Sequence, residues 1–141
     1  KLAGKGDETK VKELIDPRYI DRVHFLGYCD RERIKEEIDT CAFACIPSYF
    51  ESFGMVAIEV MGRNRTIIYT NRTAAKELLT DFVEGYLVDP NDVVSIANKI
   101  TELLCSHQLR DKMAKNAYER VLNQFCATSI SSELVSYYSS L

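Results

Sequence analysis

A doubly wound α/β fold, with a parallel sheet and helices on both of its faces, is predicted by three features of the sequence. Short apolar runs alternate with stretches of helical period from Lys1 to Val88. One run, Cys41-Ala-Phe-Ala-Cys-Ile46, is apolar without interruption, as in a central parallel strand covered on both faces. After Asp89-Pro90 the pattern turns wholly helical. Alternating strand and helix implies right-handed βαβ units, and in such sheets ligands bind beyond the carboxyl ends of the strands.

Each element has its local reason. Lys1–Ala3 reads as the end of a strand and Gly4-Lys-Gly6 as a tight turn. A charged amphipathic helix over Asp7–Asp16 is stopped by Pro17. Arg22–Leu26 is a strand ending at Gly27, and Asp30 caps a second charged helix over Asp30–Asp39. The Cys41–Ile46 strand leads through Pro47–Gly54 into an apolar helix, Gly54–Arg63, expected to be buried. Thr66–Thr70 is a strand, Thr73–Leu79 a short helix capped by Thr73, and Gly85–Val88 a short strand. Asp92–Cys105, His107–Asn123 and Ala127–Tyr138 all suit helices. Within the Ser-rich tail, Ile130, Leu134, Val135 and Tyr138 keep helical spacing, which predicts a docked segment.

Length and composition set bounds. A chain of 141 residues suits one domain with a sizeable core, and 46% apolar with 28% charged residues is ordinary for a globular protein. A formal charge of −3 advertises no nucleic-acid surface. No apolar stretch is long enough to span a bilayer, and no signal-peptide pattern opens the chain. The five cysteines are scattered without a metal-ligand spacing, which predicts a reduced, cytoplasmic setting, with Cys41 and Cys45 in the core and no metal site. The start at Lys1-Leu-Ala-Gly4, without Met, predicts a piece of a longer protein.

The chemistry concentrates in Glu51-Ser-Phe-Gly-Met-Val-Ala-Ile-Glu59. Glu59 is the only polar residue in Met55–Met61, and a carboxylate in such surroundings is costly unless paired. Gly54 stands near the helix start, where free amides and the macrodipole favour an anion. From Gly54 to Glu59 a helix rises about 7–8 Å, a plausible phosphate-to-ribose distance. Two carboxylates flanking a phosphate seat describe a nucleotide-sugar. Structural alternatives remain for both: Ser48-x-x-Glu51 fits a capping box, and Glu59 has Arg63 as its i+4 neighbour. Gly4-Lys-Gly6 is a poor phosphate loop, Arg63 and Arg65 read as solvated cations, and His24 and His107 have no visible partner. Glu77, at a helix N-terminus, favours the dipole.

In chain order, Gly4-x-Gly6, Val23-x-Phe-Leu-Gly27, Pro47-Ser48, Glu51-Ser-Phe-Gly54, Glu59-x-Met61, Glu77 and Gly85-Tyr-Leu-Val-Asp-Pro90 precede a closing helix with Arg110, Met113, Ala117 and Phe125. This set resembles the Rossmann-like C-terminal domain of GT-B glycosyltransferases, closest to the retaining family 4 with its E-x7-E motif, over nearly the whole chain. The resemblance implies one donor-binding domain over residues 1–141 and no cofactor beyond a UDP-, GDP- or ADP-sugar donor. It implies that Glu51, the catalytic candidate, meets donor-sugar hydroxyls, and that the backbone of Ser52, Phe53, Gly54 and Met55 meets the sugar or distal phosphate. Val56 would meet the phosphates, Glu59 the ribose, and the backbone near Tyr28 and Cys29 the base. Partners are the donor, an acceptor left open by the sequence, and the chain's own N-terminal domain, through which any membrane association would arise.

Two departures stand out. Gly62-Arg-Asn64-Arg-Thr66-Ile67 replaces the family's Ala-x-Gly-x-Pro-Val, with Asn64 suited to the left-handed turn, and Thr73-Ala74 replaces Gly-Gly. The family's phosphate-binding Arg and Lys and its acceptor-binding half lie upstream, so the fragment alone is expected to bind donor weakly and transfer nothing. Another GT-B enzyme, such as an epimerase or phosphorylase, or a non-catalytic flavodoxin-like module remains open.

Overall fold

Tyr69 and its neighbours form a fully buried strand. In the computed structural model, which describes residues 1–72 and 75–140, β4 (Ile67–Thr70) is buried at every position. It lies between β3 (Ala44–Ile46) and β5 (Gly85–Val88) in a parallel sheet of order β3-β4-β5. The run Cys41–Ile46 was the expected central strand, but β3 is an edge of this sheet and only half-buried. Cys45 is exposed and Cys41 half-buried, so neither belongs to the core. Apolar continuity marks a strand here without ranking its place in the sheet. In the β-branched Ile67-Ile68, flanked by Thr66 and Thr70, both faces are covered.

The chain divides into two compact units, Lys1–Glu37 and Ile38–Leu141. In the first, β1 (Leu2–Ala3) pairs in parallel with β2 (Phe25–Gly27). Asp7 caps α1 (Glu8–Glu13) by accepting from the Thr9 and Lys10 amides. This helix is shorter than predicted, because Asp16 accepts from the Arg18 amide and Pro17 opens a 3-10 turn over Pro17–Arg22. That turn also consumes the start of the predicted strand. Asp30 caps α2 (Arg31–Thr40) as predicted, accepting from the Arg33 amide at 2.8 Å.

In the second unit, α3 (Met55–Gly62), α4 (Ala75–Leu78), α5 (Val93–Cys105), α6 (His107–Arg120) and α7 (Ala127–Ser139) accompany the sheet. Asp92 and Ser106 cap α5 and α6 through the Ser95 and Leu109 amides. The predicted Thr73 cap and the Thr73-Ala74 departure lie outside the described residues. Ile68, Tyr86, Val88, Leu103 and Met113 form the core, with Phe43, Ile96, Ile100 and Leu109 packed against it. Gly85 allows β5 to close on β4, since a Cβ there would lie 2.2 Å from the Ile67 carbonyl oxygen. A buried Glu84 accepts from the Thr80 amide at 2.6 Å and pairs with Arg120 at 3.4 Å, tying α6 to the loop before β5.

The α3–β4 turn behaves as its sequence suggests, with Asn64 at φ 55°. Arg63 and Arg65 are half-buried and engaged, not free surface cations. Arg63 pairs with Asp39 at 2.5 Å, and Arg65 donates to the Asp39 and Asn64 carbonyls. Beyond α6 a π-turn, Val121–Phe125, leads to Cys126, whose sulfur caps α7 by accepting from the Ser129 amide at 3.5 Å. The tail is helical as predicted, yet it is not docked: α7 buries no residue, and Ile130, Leu134, Val135 and Tyr138 are exposed. Helical spacing reports that a helix has an apolar face. It does not supply an element opposite that face.

Candidate functional site

The loop after β3 sits at a carboxyl end of the sheet and is organised by Gly54. Gly54 adopts φ 87° and ψ 35°, a left-handed conformation that lets the chain turn directly into α3. A Cβ at this position would lie 2.4 Å from Leu78 Cδ1 and 2.7 Å from the Tyr69 hydroxyl. Glycine is therefore required by both conformation and space. The Gly54 carbonyl accepts from the Ala57 and Ile58 amides at 2.9 and 3.3 Å. The Met55 and Val56 amides make no hydrogen bond among the described residues, so the N-terminus of α3 offers donors and the positive end of a helix dipole.

Glu51 is half-buried, and its Oε1 accepts from the Gly54 amide at 3.0 Å. It thus caps the turn, but not through the predicted box with Ser48: the helix begins at Met55, too late for Ser48 to cap it. Beneath the turn lies Tyr69, fully buried, its hydroxyl within reach of the Glu51 carboxylate. Burial, followed by the Glu51 charge and hydrogen bonding to that carboxylate, pushes the Tyr69 phenol well above its usual range. Sequence reasoning passed over Tyr69. The available signal was a tyrosine in an otherwise aliphatic and threonine strand, where its hydroxyl needs a partner.

Glu59 lies along the same helix. The expectation of a wholly buried helix holds for one side only. Ala57, Val60 and Met61 are buried, while Met55 is exposed and Val56, Ile58 and Glu59 are half-buried. Positions 55, 58, 59 and 62 share the outward stripe by their i, i+3, i+4, i+7 spacing. Arg63 is engaged by Asp39, and Glu59 makes no hydrogen bond or ion pair among the described residues. Among the described residues, the helix therefore carries unbonded amides at one end and a half-buried carboxylate without a charge partner one turn on.

The remaining predicted residues are placed as follows. Ser52 and Phe53 are exposed on the loop, with Tyr49 and Phe50. Arg72, which sequence reasoning also missed, pairs with Asp89 at 3.1 Å and holds its guanidinium 5.6 Å from the Tyr49 ring centre. In the first unit, Tyr28 is exposed with Lys5 Nζ 4.6 Å from its ring centre, and the half-buried Cys29 thiol donates to the Leu26 and Gly27 carbonyls. Glu77 has an exposed side chain, and its carbonyl accepts from Arg120 at 2.9 Å. His107 has a partner after all, Asp111 at 2.7 Å, one turn along its own helix. Among the described residues no group of His, Cys, Asp and Glu is placed to hold a metal ion. A surface depression lined by Gly62, Arg63, Lys115 and Glu119 opens at the opposite end of α3, where the charges already satisfy one another.

Against this geometry the comparisons are decisive. A model of the family "Glycosyl transferases group 1" matches residues 1–120. The chain belongs to that family. Among curated members, it is 27% identical to the alpha-D-kanosaminyltransferase of Streptomyces kanamyceticus, with 97% of this chain and 36% of the relative covered. It is 30% identical to the N-acetyl-alpha-D-glucosaminyl L-malate synthase of Bacillus anthracis, again over 97% of this chain and 36% of the relative. The chain thus spans about a third of the length of the curated relatives it matches. Among solved structures, Anabaena HepE in complex with UDP superposes with a TM-score of 0.78 at 28% identity, covering 99% of this chain and 40% of that one. HepE in complex with UDP-glucose gives 0.76 at 27% identity with the same coverage. The α/β architecture is that of GT-B C-terminal domains in this group 1 family.

Proposed function

We propose that this chain is the nucleotide-sugar-binding part of a retaining, family 4-like glycosyltransferase, with Glu51 and Glu59 as the pair of an E-x7-E motif. The observation that carries the reading is the α3 arrangement: among the described residues, the Met55 and Val56 amides at its start are unbonded and a half-buried Glu59 one turn on has no partner. A free carboxylate at such a position is a poor choice for stability and a good one for accepting from the two hydroxyls of a ribose. Family membership and the binding of UDP and UDP-glucose by HepE support the same assignment.

In this reading the diphosphate sits on the α3 N-terminus. As the bond from the sugar to the diphosphate breaks, negative charge grows on the leaving oxygens, and preorganised amides stabilise it without reorganisation. Glu51 orients the sugar over the turn, and Glu59 anchors the ribose, so both ends of the donor are fixed around the breaking bond. The five cysteines, all unpaired, support a reducing compartment.

The test is ligand-observed NMR on the protein with UDP-, GDP- and ADP-sugars, using Glu59→Ala as the control. Saturation transfer to one donor, lost in the variant while thermal unfolding stays cooperative, is the expected result and names the nucleotide. Equal transfer in Glu59→Ala removes Glu59 from the site and the reading with it.

A further inference from the structure

Beyond the carboxyl ends of the sheet, one side chain joins three loops. Arg72 lies two residues past β4, and its Nη2 donates at 3.1 Å to Oδ1 of Asp89, the residue that follows β5. The same guanidinium lies 5.6 Å from the centre of the Tyr49 ring, in the loop that follows β3. Its base is firmly set. The Arg72 amide donates to the buried Thr70 hydroxyl at 3.2 Å, and the Asn71 amide donates to the Val88 carbonyl at 2.8 Å. Asp89 is set as well, since Oδ1 also accepts from the Asn91 amide at 2.9 Å. These two bonds, from Asn91 first and Arg72 second, hold the Asp89 carboxyl below its ordinary range, so the pair stays charged near neutral pH. Tyr49 is not set in this way. Residues 47–54 form neither helix nor strand, and Tyr49 is 64% exposed. Phe50 and Phe53 in the same loop are exposed too, so little apolar burial holds it down. Side-chain contacts hold it instead: Glu51 accepts from the Gly54 amide, and the Tyr49 ring meets the Arg72 guanidinium. A planar guanidinium can bond a carboxylate through its edge while an aromatic ring lies against its face.

Resting on the donor-site reading above, we propose that Arg72 is a positioning residue for Glu51: held by Asp89, its guanidinium seats the Tyr49 ring and so fixes the loop on which Glu51 meets the donor sugar. The brace runs from the end of β5, through the loop after β4, to the loop after β3. Tyr49 and Glu51 are two residues apart, so seating the ring limits where the carboxylate can go. The orientation of Glu51 then depends on three strand ends and not on one irregular loop. Fixing it beforehand lowers the ordering penalty that the sugar would otherwise meet on binding. The diphosphate is received by the α3 amides, which do not depend on the brace, so its effect falls on the sugar. Arg72 acts through Tyr49 and need not touch the ligand.

The experiment compares wild type, Arg72→Gln, Tyr49→Ala, Tyr49→Phe, Glu51→Gln and the double variant of Arg72→Gln with Glu51→Gln, in the protein expressed from its complete gene. Calorimetry measures binding of UDP, GDP and ADP and of a sugar ester of each; thermal unfolding is followed in parallel. Arg72→Gln and Tyr49→Ala are each expected to leave nucleoside-diphosphate affinity unchanged. Each should weaken binding of the matching nucleotide-sugar about two- to fivefold, the worth of one exposed cation–π contact. Tyr49→Phe keeps the ring and should bind the nucleotide-sugar as wild type does. The double variant should lose no more than Glu51→Gln alone, because the brace acts through that carboxylate. The proposal is overturned if Arg72→Gln leaves nucleotide-sugar affinity unchanged, weakens both ligand classes equally, or adds to the Glu51→Gln loss. It is overturned too if Tyr49→Phe loses as much as Tyr49→Ala. Should Arg72→Gln unfold at a sharply lower temperature, the two Tyr49 variants decide, since they alter an exposed side chain. Failure of wild type to bind any member of the panel is a different result. It removes the donor-site reading and the proposal with it, whereas the other failures leave that reading standing.

Discussion

Gly54 concentrates more constraint than any neighbouring residue, because a left-handed backbone and two close contacts coincide there. Gly54→Ala is expected to lower stability by about 1–3 kcal/mol, combining backbone strain with overpacking against Leu78 and Tyr69. Urea denaturation measures this directly, and an unchanged midpoint would mean that the turn can rearrange. The same position shows what a sequence reveals at this scale. Gly54 and the two glutamates were legible because glycine at a helix start and a lone carboxylate in an apolar helix are each physically unusual. The bond from Gly54 to Glu51 was not, because side-chain choice between capping and ligand binding depends on where the helix starts. Tyr69 was hidden for a related reason. Strand periodicity says that a residue points inward and leaves open whether its polar end finds a partner.

At the level of elements, the buried Arg120–Glu84 pair and α7 make opposite predictions. Glu84 is almost wholly buried and Arg120 supplies its charge partner, together with bonds to Thr80 and Glu77. Replacing Arg120 by Met leaves an uncompensated carboxylate and is expected to destabilise the protein by about 3–5 kcal/mol, measured by chemical denaturation. In α7, Val135→Ser should change stability by less than about 0.5 kcal/mol, since the residue is 66% exposed. Leu103→Ala in the core should cost about 2–5 kcal/mol in the same assay. A large effect of Val135→Ser would show that α7 has a partner in solution. Strand and helix positions were readable from apolar period and caps, as β5 over Gly85–Val88 and the Asp30 and Asp92 caps illustrate. Which strand is central was not readable, because rank in a parallel sheet depends on long-range pairing that apolar content does not encode. The one-sided burial of α3 was hidden likewise, since nearly every residue in it is apolar and periodicity has nothing to contrast.

Over the whole molecule, the buried phenols give stability a pH dependence. Burial raises both Tyr69 and Tyr86, with help from Glu51 and from Glu102 respectively. A group whose folded pKa exceeds its unfolded value of about 10 contributes fully below that pH and loses its contribution as pH rises through the folded value. Unfolding free energy should therefore fall from about pH 10 upward, and Tyr69→Phe and Tyr86→Phe should each flatten the decline in urea titrations. A decline of equal slope in both variants would exclude these two tyrosines as its source. The Cys126 cap of α7 has a further consequence. Hydrogen bonding from Ser129, side chain first and then backbone, holds this thiol below its ordinary range. The thiolate is the reactive form, so a maleimide dye should label half-buried Cys126 at a lower pH than its exposure alone would give, alongside the exposed Cys45 and Cys105. A fluorophore at the junction before α7 would then report, without mutagenesis, whether that exposed helix face is covered in solution.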